Sequence, residues 1–172
     1  MEFFEVVKNR FSCRKFSSKP VEDEKLDKIL EAARIAPTAK NAQPVKIWVI
    51  KSHEALEKIK STIPFPWVKD ASVILAVGGT PEGAFLRPSD GKNFSEVDAT
   101  IVATHIMLAI EAEGLASTWI GMFDEPKAKE LFPEMKNYEL IALFPIAYKA
   151  DDAQPSDRHE KRKSKDELIK IL

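Results

Sequence analysis

A chain of 172 residues, 44% hydrophobic and 31% charged, has the composition of one folded domain with a sizeable core. Its formal net charge of −1 gives no global basic field for nucleic acid, and no apolar run is long enough to span a bilayer. The start, Met1-Glu2-Phe3-Phe4-Glu5, carries acid where a signal peptide carries positive charge. One cysteine, Cys13, rules out an internal disulfide, so a reducing cytoplasm is the expected location.

Residues 2 to 10 read as a short helix with Phe3, Val6 and Val7 on one side. It delivers Arg10-Phe11-Ser12-Cys13-Arg14-Lys15-Phe16, a cationic heptad with a hydroxyl between two arginines. Two guanidinium forks and a Ser hydroxyl suit a phosphate, and a solvated basic turn is the alternative. Cys13 is either a thiol activated by the nearby charge or a small buried filler. Residues 22 to 35 form a helix, with acids in the first turn and Leu26, Ile29, Leu30 and Ala33 at helical spacing.

Pro37 ends that helix and opens Pro37-Thr38-Ala39-Lys40-Asn41-Ala42-Gln43-Pro44. Pro44 predicts an extended Gln43. The segment presents a hydroxyl and two carboxamides at the edge of strand 45 to 50, a donor set suited to the rim of a planar heterocycle, or simply a polar turn. Ser52 caps a helix from about 53 to 62, with His53 in its solvated first turn. Pro64-Phe65-Pro66-Trp67 is a rigid aromatic connection. Residues 71 to 77 read as a buried strand ended by Gly78-Gly79, a pair without a dinucleotide fingerprint after it. Residues 80 to 94 lack periodicity and read as a mobile surface loop of the kind that borders sites.

Residues 95 to 113 are the strongest helical stretch, with Ser95 and Asp98 resembling a capping pair. Val97, Ile101, Val102, Ile106, Met107, Leu108 and Ile110 cover most of its circumference. Such a helix needs burial on more than one side, and packing against a second copy of the chain is the simplest way to supply it. His105, with no cysteine or second histidine nearby, reads as a packing residue rather than a metal ligand. Gly114 is a C-cap, and Ser117 to Met122 reads as a strand in which Gly121 marks a bulge or a close backbone approach. A short helix 125 to 132 and a strand 140 to 148 follow, Pro145 confining that strand to an edge or an end. Residues 149 to 163 form a polar arm with Arg158, Lys161, Arg162 and Lys163. A capping box, Ser164 to Glu167, starts a terminal helix, so the arm is expected to cross a surface of the partner subunit. This order predicts a single α+β domain around a sheet of at least four strands.

No Walker loop, nucleophile elbow, zinc-protease helix or cysteine pair is present, and nothing links Cys13, His53, His105 and His159 into a catalytic set. No side chain is assigned as catalytic and no metal is expected, so a bound organic cofactor would have to carry a difficult step.

Taken together the segments resemble the nitroreductase family of FMN-dependent oxidoreductases, across nearly the whole chain. The heptad from Arg10 to Phe16 is similar to the family's Arg-x-Ser-x-Arg-x-Phe signature. Ala36 to Pro44 is similar to its Ala-Pro-Ser-x-x-Asn-x-Gln-Pro loop. Asp98-Ala99 with the long helix, Glu113-Gly114-Leu115, Trp119-Ile120-Gly121 and Arg162-Lys163 resemble its core helix, flavin-facing strand and terminal phosphate-binding pair. The resemblance implies an α/β sandwich with a central mixed or antiparallel sheet around a long buried helix. It implies FMN held through Arg10, Ser12, Arg14 and Arg162, bordered by Pro37, Thr38, Asn41 and Gln43, with Ile120 beside it and the Gly121 N–H facing flavin N5. It also implies a homodimer with its sites between subunits, and ping-pong transfer from NADH or NADPH to a small acceptor such as a nitroaromatic or quinone. A flavin-binding protein without turnover, its pocket covered by loop 80 to 94 or Trp67, is the competing reading. Departures from the family pattern, Val45 after Gln-Pro and Phe11 between the first two motif residues, bear on substrate identity.

Overall fold

The computed structural model describes residues 2–172. A three-stranded antiparallel sheet lies at its centre, with β3 (Val73–Gly79) between β2 (Val45–Ile50) and β4 (Glu139–Ile146). Every residue of β3 is buried, as its unbroken apolar run requires. Its side chains alternate between two cores. Val73, Leu75 and Val77 face α2 (Asp23–Arg34) and α4 (Ser95–Ala112), while Ile74 and Ala76 face α3 (His53–Lys60) and α5 (Glu125–Leu131). The result is the expected α+β sandwich. α1 (Phe3–Asn9) lies against α4. β1 (Phe16–Ser17) and β5 (Tyr148–Lys149) form a separate antiparallel ribbon, and α6 (Lys165–Leu168) closes the chain behind its capping box. Among the described residues no helix is long and apolar enough to cross a membrane.

Four local expectations are corrected. The sheet has three regular strands rather than four or more, because residues 116–120 make only isolated bridges, Ile120 to Leu143 in β4, Ala116 to Ala147 just beyond it and Ser117 to Ser12. Gly78 and Gly79 do not end β3 but lie within it. A Cβ on Gly79 would stand 2.6 Å from the Ser95 carbonyl oxygen, so the pair lets α4 sit close to the sheet. Ser95 does not cap α4, which starts after Phe94; the Ser95 N–H instead donates to Asn93 Oδ1 at 2.9 Å. Residues 80–94 are also more ordered than a loop without periodicity. Phe94 N donates to the Phe85 carbonyl and Arg87 N to the Lys92 carbonyl, both at 3.0 Å. An Arg87–Asp90 pair closes the tip.

Candidate functional site

The loop after α2 is built under strain. Lys40, Asn41 and Gln43 take φ of 52°, 54° and 53°, a region in which residues other than glycine are uncommon. Gln43 is therefore not extended as Pro44 predicts. Its N–H is drawn 3.0 Å to Thr38 Oγ1 and its carbonyl accepts from Val45 N at 2.8 Å, which overrides the local preference. The loop is pinned at two further points. Thr80 N donates to the Pro44 carbonyl at 2.9 Å, and Ala39 N donates to Asp98 Oδ1 at 2.8 Å. Asp98 is 1% exposed, and its Oδ2 is buried without a partner. Strain held by surrounding contacts at a concave surface is a pointer to a site. Thr38 and Gln43 line a cavity of about 380 Å³ with Arg34, Val45, Ile47 and Val102, and Pro37 and Asn41 stand exposed on the same loop outside that lining.

A second cavity, of about 230 Å³, gathers Arg10, Ser12, Arg14, Arg158, His159 and Arg162. Residues 10 to 14 and 162 lie far apart in sequence, and the fold brings them together. The turn from Cys13 is fixed by its N–H donating 3.0 Å to the Ser117 carbonyl and by a bond from the Thr118 hydroxyl to its own carbonyl. Of the six arginines in the sequence, Arg34 and Arg87 pair with Glu31 and Asp90. The other four line this cavity. Among the described residues none of those four is in an ion pair, and no carboxylate lines the cavity. Pooled guanidiniums without counter-charge are a donor set that suits a multivalent anion. Cys13 is fully buried beside it. Burial pushes its thiol above the ordinary value, so it acts as a filler and not as a nucleophile.

Ile120 is 2% exposed, and its N–H and carbonyl both pair with Leu143 at 3.0 Å, so it contributes position rather than a free group. Gly121 is exposed, a Cβ there would meet nothing within 4 Å, and its N–H has no backbone acceptor among the described residues. The close backbone approach read at Gly121 is therefore not made to another part of the chain. Trp67 covers neither cavity. It stacks on Phe65 at 5.5 Å and packs against Phe16. Loop 80–94 borders the strained loop, with the Lys40 ammonium 5.0 Å from the centre of the Phe85 ring.

Sequence reasoning missed three residues here. Asp98 was legible as a capping partner and as part of a core-helix motif, yet not as the anchor of a loop 59 residues away. Arg158 and His159 sit in a charge run that reads as solvated, and only their placement against Arg10 and Arg14 distinguishes them.

A family model described as the nitroreductase family matches residues 7–148. The chain belongs to the nitroreductase family. A candidate NADH dehydrogenase/NAD(P)H nitroreductase of Methanothermobacter thermautotrophicus is 31% identical over 162 residues, which cover 91% of this chain and 82% of that protein. Among solved structures, a nitroreductase family protein from Clostridium difficile 630 is 36% identical with a TM-score of 0.88, covering 99% of this chain and 98% of that one. A candidate nitroreductase from Exiguobacterium sibiricum 255-15, solved in complex with FMN, shares the fold with a TM-score of 0.83 at 23% identity, covering 100% of this chain and 98% of that one. This nitroreductase-family chain is thus an oxidoreductase by family, with two cavities of different chemistry at the positions its motifs occupy.

Proposed function

We propose that the chain is an FMN-dependent oxidoreductase that takes reducing equivalents from NADH or NADPH and passes them to a small acceptor of the nitroaromatic or quinone class. The observation that carries this reading is the cavity lined by four unpaired arginines and Ser12. Its donor set fits FMN, since a phosphate dianion is best met by several forks and a hydroxyl with no competing carboxylate. Arg10, Ser12, Arg14 and Arg162 would hold the phosphate and ribityl chain. Pro37, Thr38, Asn41 and Gln43 would border the ring system, and Gly121, open on its outer side, would offer its N–H to the ring. Bound FMN supplies the hydride-accepting and electron-delivering chemistry. The chain supplies position and electrostatics, and no side chain needs to act as acid or base.

A homodimer is part of this proposal. The two cavities share no lining residue, so the phosphate groups and the ring-edge groups of one chain do not form one pocket. α4 leaves Met107 and Leu108 half-buried. An apolar groove of about 520 Å³, lined among others by Phe3, Val6, His105 and Leu108, runs beside α4, next to an exposed Phe4. A second copy covering that face would also bring a second set of site groups close.

The test is the visible absorption spectrum of the purified protein before and after anaerobic addition of NADH or NADPH. Flavin bands that bleach are the expected result. Bands that persist would favour a flavin-binding protein without turnover, and their absence after incubation with FMN would overturn the reading. A monomer by sizing that retains a full complement of FMN would refute the dimer.

A further inference from the structure

Two acids among the described residues are buried, and their surroundings treat them differently. Glu111 faces a cation, its Oε1 lying 2.8 Å from Lys149 Nζ. Asp98 is in no ion pair among the described residues. Its Oδ1 accepts from Ala39 N at 2.8 Å, and its Oδ2 is buried without a hydrogen-bond partner. Anchoring one backbone N–H needs one neutral acceptor, which an Asn would supply. A carboxylate at this place leaves a second oxygen and a formal charge in the interior, a costly arrangement that calls for a reason. The first turn of α4, where Asp98 sits, offsets that cost only in part, through a helix dipole that favours an anion.

The charge is also held rigidly. β3 meets the start of α4 so closely that a Cβ on Gly79 would stand 2.6 Å from the Ser95 carbonyl oxygen. Thr80 N, the next residue, bonds the Pro44 carbonyl, and Asp98 bonds Ala39. The end of β3, the start of α4 and the strained loop therefore close a ring of contacts with Asp98 at one corner. That corner adjoins the cavity of about 380 Å³. Thr38, beside Ala39, lines it, and so does Val102, one turn beyond Asp98 on the same face of α4. The cations of this wall are engaged elsewhere. Arg34 pairs with Glu31, and the Lys40 ammonium lies over the Phe85 ring.

We propose that Asp98 is a positioning residue with an electrostatic task. Through Ala39 it holds Thr38 at the cavity wall, and its unneutralised carboxylate lowers the reduction potential of a flavin whose ring lies in that cavity. This rests on the flavin reading. Reduction adds negative charge to the ring, so a fixed anion beside it disfavours the reduced form and makes that form the stronger electron donor. A unit charge within about 10 Å of a reacting group shifts its equilibrium by about tenfold at the effective permittivity of a protein interior. A neutral acceptor would anchor the loop equally well and leave the potential higher.

The experiment uses the full chain and compares Asp98→Asn, Asp98→Ala and Glu96→Gln, the last removing an exposed acid from the same helical turn. The midpoint potential of bound FMN is titrated against a reference dye, and amide hydrogen exchange in peptides covering 36–44 is followed without flavin. Asp98→Asn is expected to favour reduced over oxidised FMN about tenfold more than the unsubstituted chain does, about 30 mV for a two-electron couple. Its loop exchange should stay within twofold of the unsubstituted chain. Asp98→Ala should show a similar rise in potential together with loop exchange at least tenfold faster. Glu96→Gln should move neither reading by more than twofold. Two results would overturn the proposal and leave the flavin reading standing: FMN bound by Asp98→Asn with its redox preference within twofold of the unsubstituted chain, or an equal rise in Glu96→Gln. If the unsubstituted chain binds no flavin, the flavin reading falls and the proposal falls with it.

Discussion

The two cavities are held in opposite ways. The strained loop at 37–44 is fixed from within, by Asp98, Thr80 and its own Thr38–Gln43 bond, before any ligand arrives. The cationic cavity is half built by a segment that the chain itself does not bond in place. The first is shaped to orient a flat group, where geometric looseness would cost rate. The second is shaped to capture charge, where field strength and count of donors matter more than tenths of an ångström.

This contrast can be broken from either side. The largest effect is expected from Arg10→Ala combined with Arg14→Ala. Each lost charged hydrogen bond is worth about 1.5–3 kcal/mol, so the pair should weaken FMN binding by at least about 3 kcal/mol. Flavin retention on a desalting column would read this directly, while the melting temperature without cofactor should stay level or rise as repulsion is relieved. Unchanged retention would remove the phosphate assignment. The strained loop should respond in the reverse sense. Asp98→Ala leaves the Ala39 N–H without its acceptor and should cost about 1–3 kcal/mol of stability even without cofactor. Asp98→Asn, which keeps an acceptor of the same shape, should recover most of it. Thermal unfolding of both variants checks this, and equal loss in the two would mean that the charge, not the bond to Ala39, is what matters. The smallest effect belongs to the arm. Ser164→Ala removes the side-chain half of a capping box, the Ser164 hydroxyl that accepts from Glu167 N, and leaves the Ser164 N–H donating to Glu167 Oε2, at a local cost of about 1 kcal/mol. Because α6 is not bonded to the body, global unfolding should shift by less than about 0.5 kcal/mol in the absence of cofactor, with the loss confined to exchange in residues 164–168.

Most helices and the buried strand were legible because each is a local pattern. Apolar spacing gave α2 and α4, Ser52 and Ser164 gave true caps, Gly114 gave a true C-terminus at φ 71°, and the run 73–77 gave the centre of β3. The motif residues too were legible, since two arginines flanking a serine and a Thr-Asn-Gln loop between prolines carry their chemistry in their side chains. The expectations that failed were those in which one residue's local preference was overridden by a specific hydrogen-bond partner. The segment 116–120 has strand composition but makes only isolated bridges, to Leu143, Ala147 and Ser12. Ser95 looked like a cap, but its N–H was claimed by Asn93. Pro44 argued for an extended Gln43, yet Thr38 Oγ1 and Val45 N held it at positive φ.

By itself, then, the sequence determined the elements, the α+β class and the kinds of chemistry the chain carries, because those depend on residue type and on spacing within a few turns. Only the tertiary structure decided that Asp98 anchors the loop and that Arg158 and His159 line one cavity with Arg10 and Arg14. It also decided that Thr38 and Gln43 line a different cavity. Those facts depend on placements across 59 to 149 residues of chain, governed by core packing and loop closure rather than by any local preference.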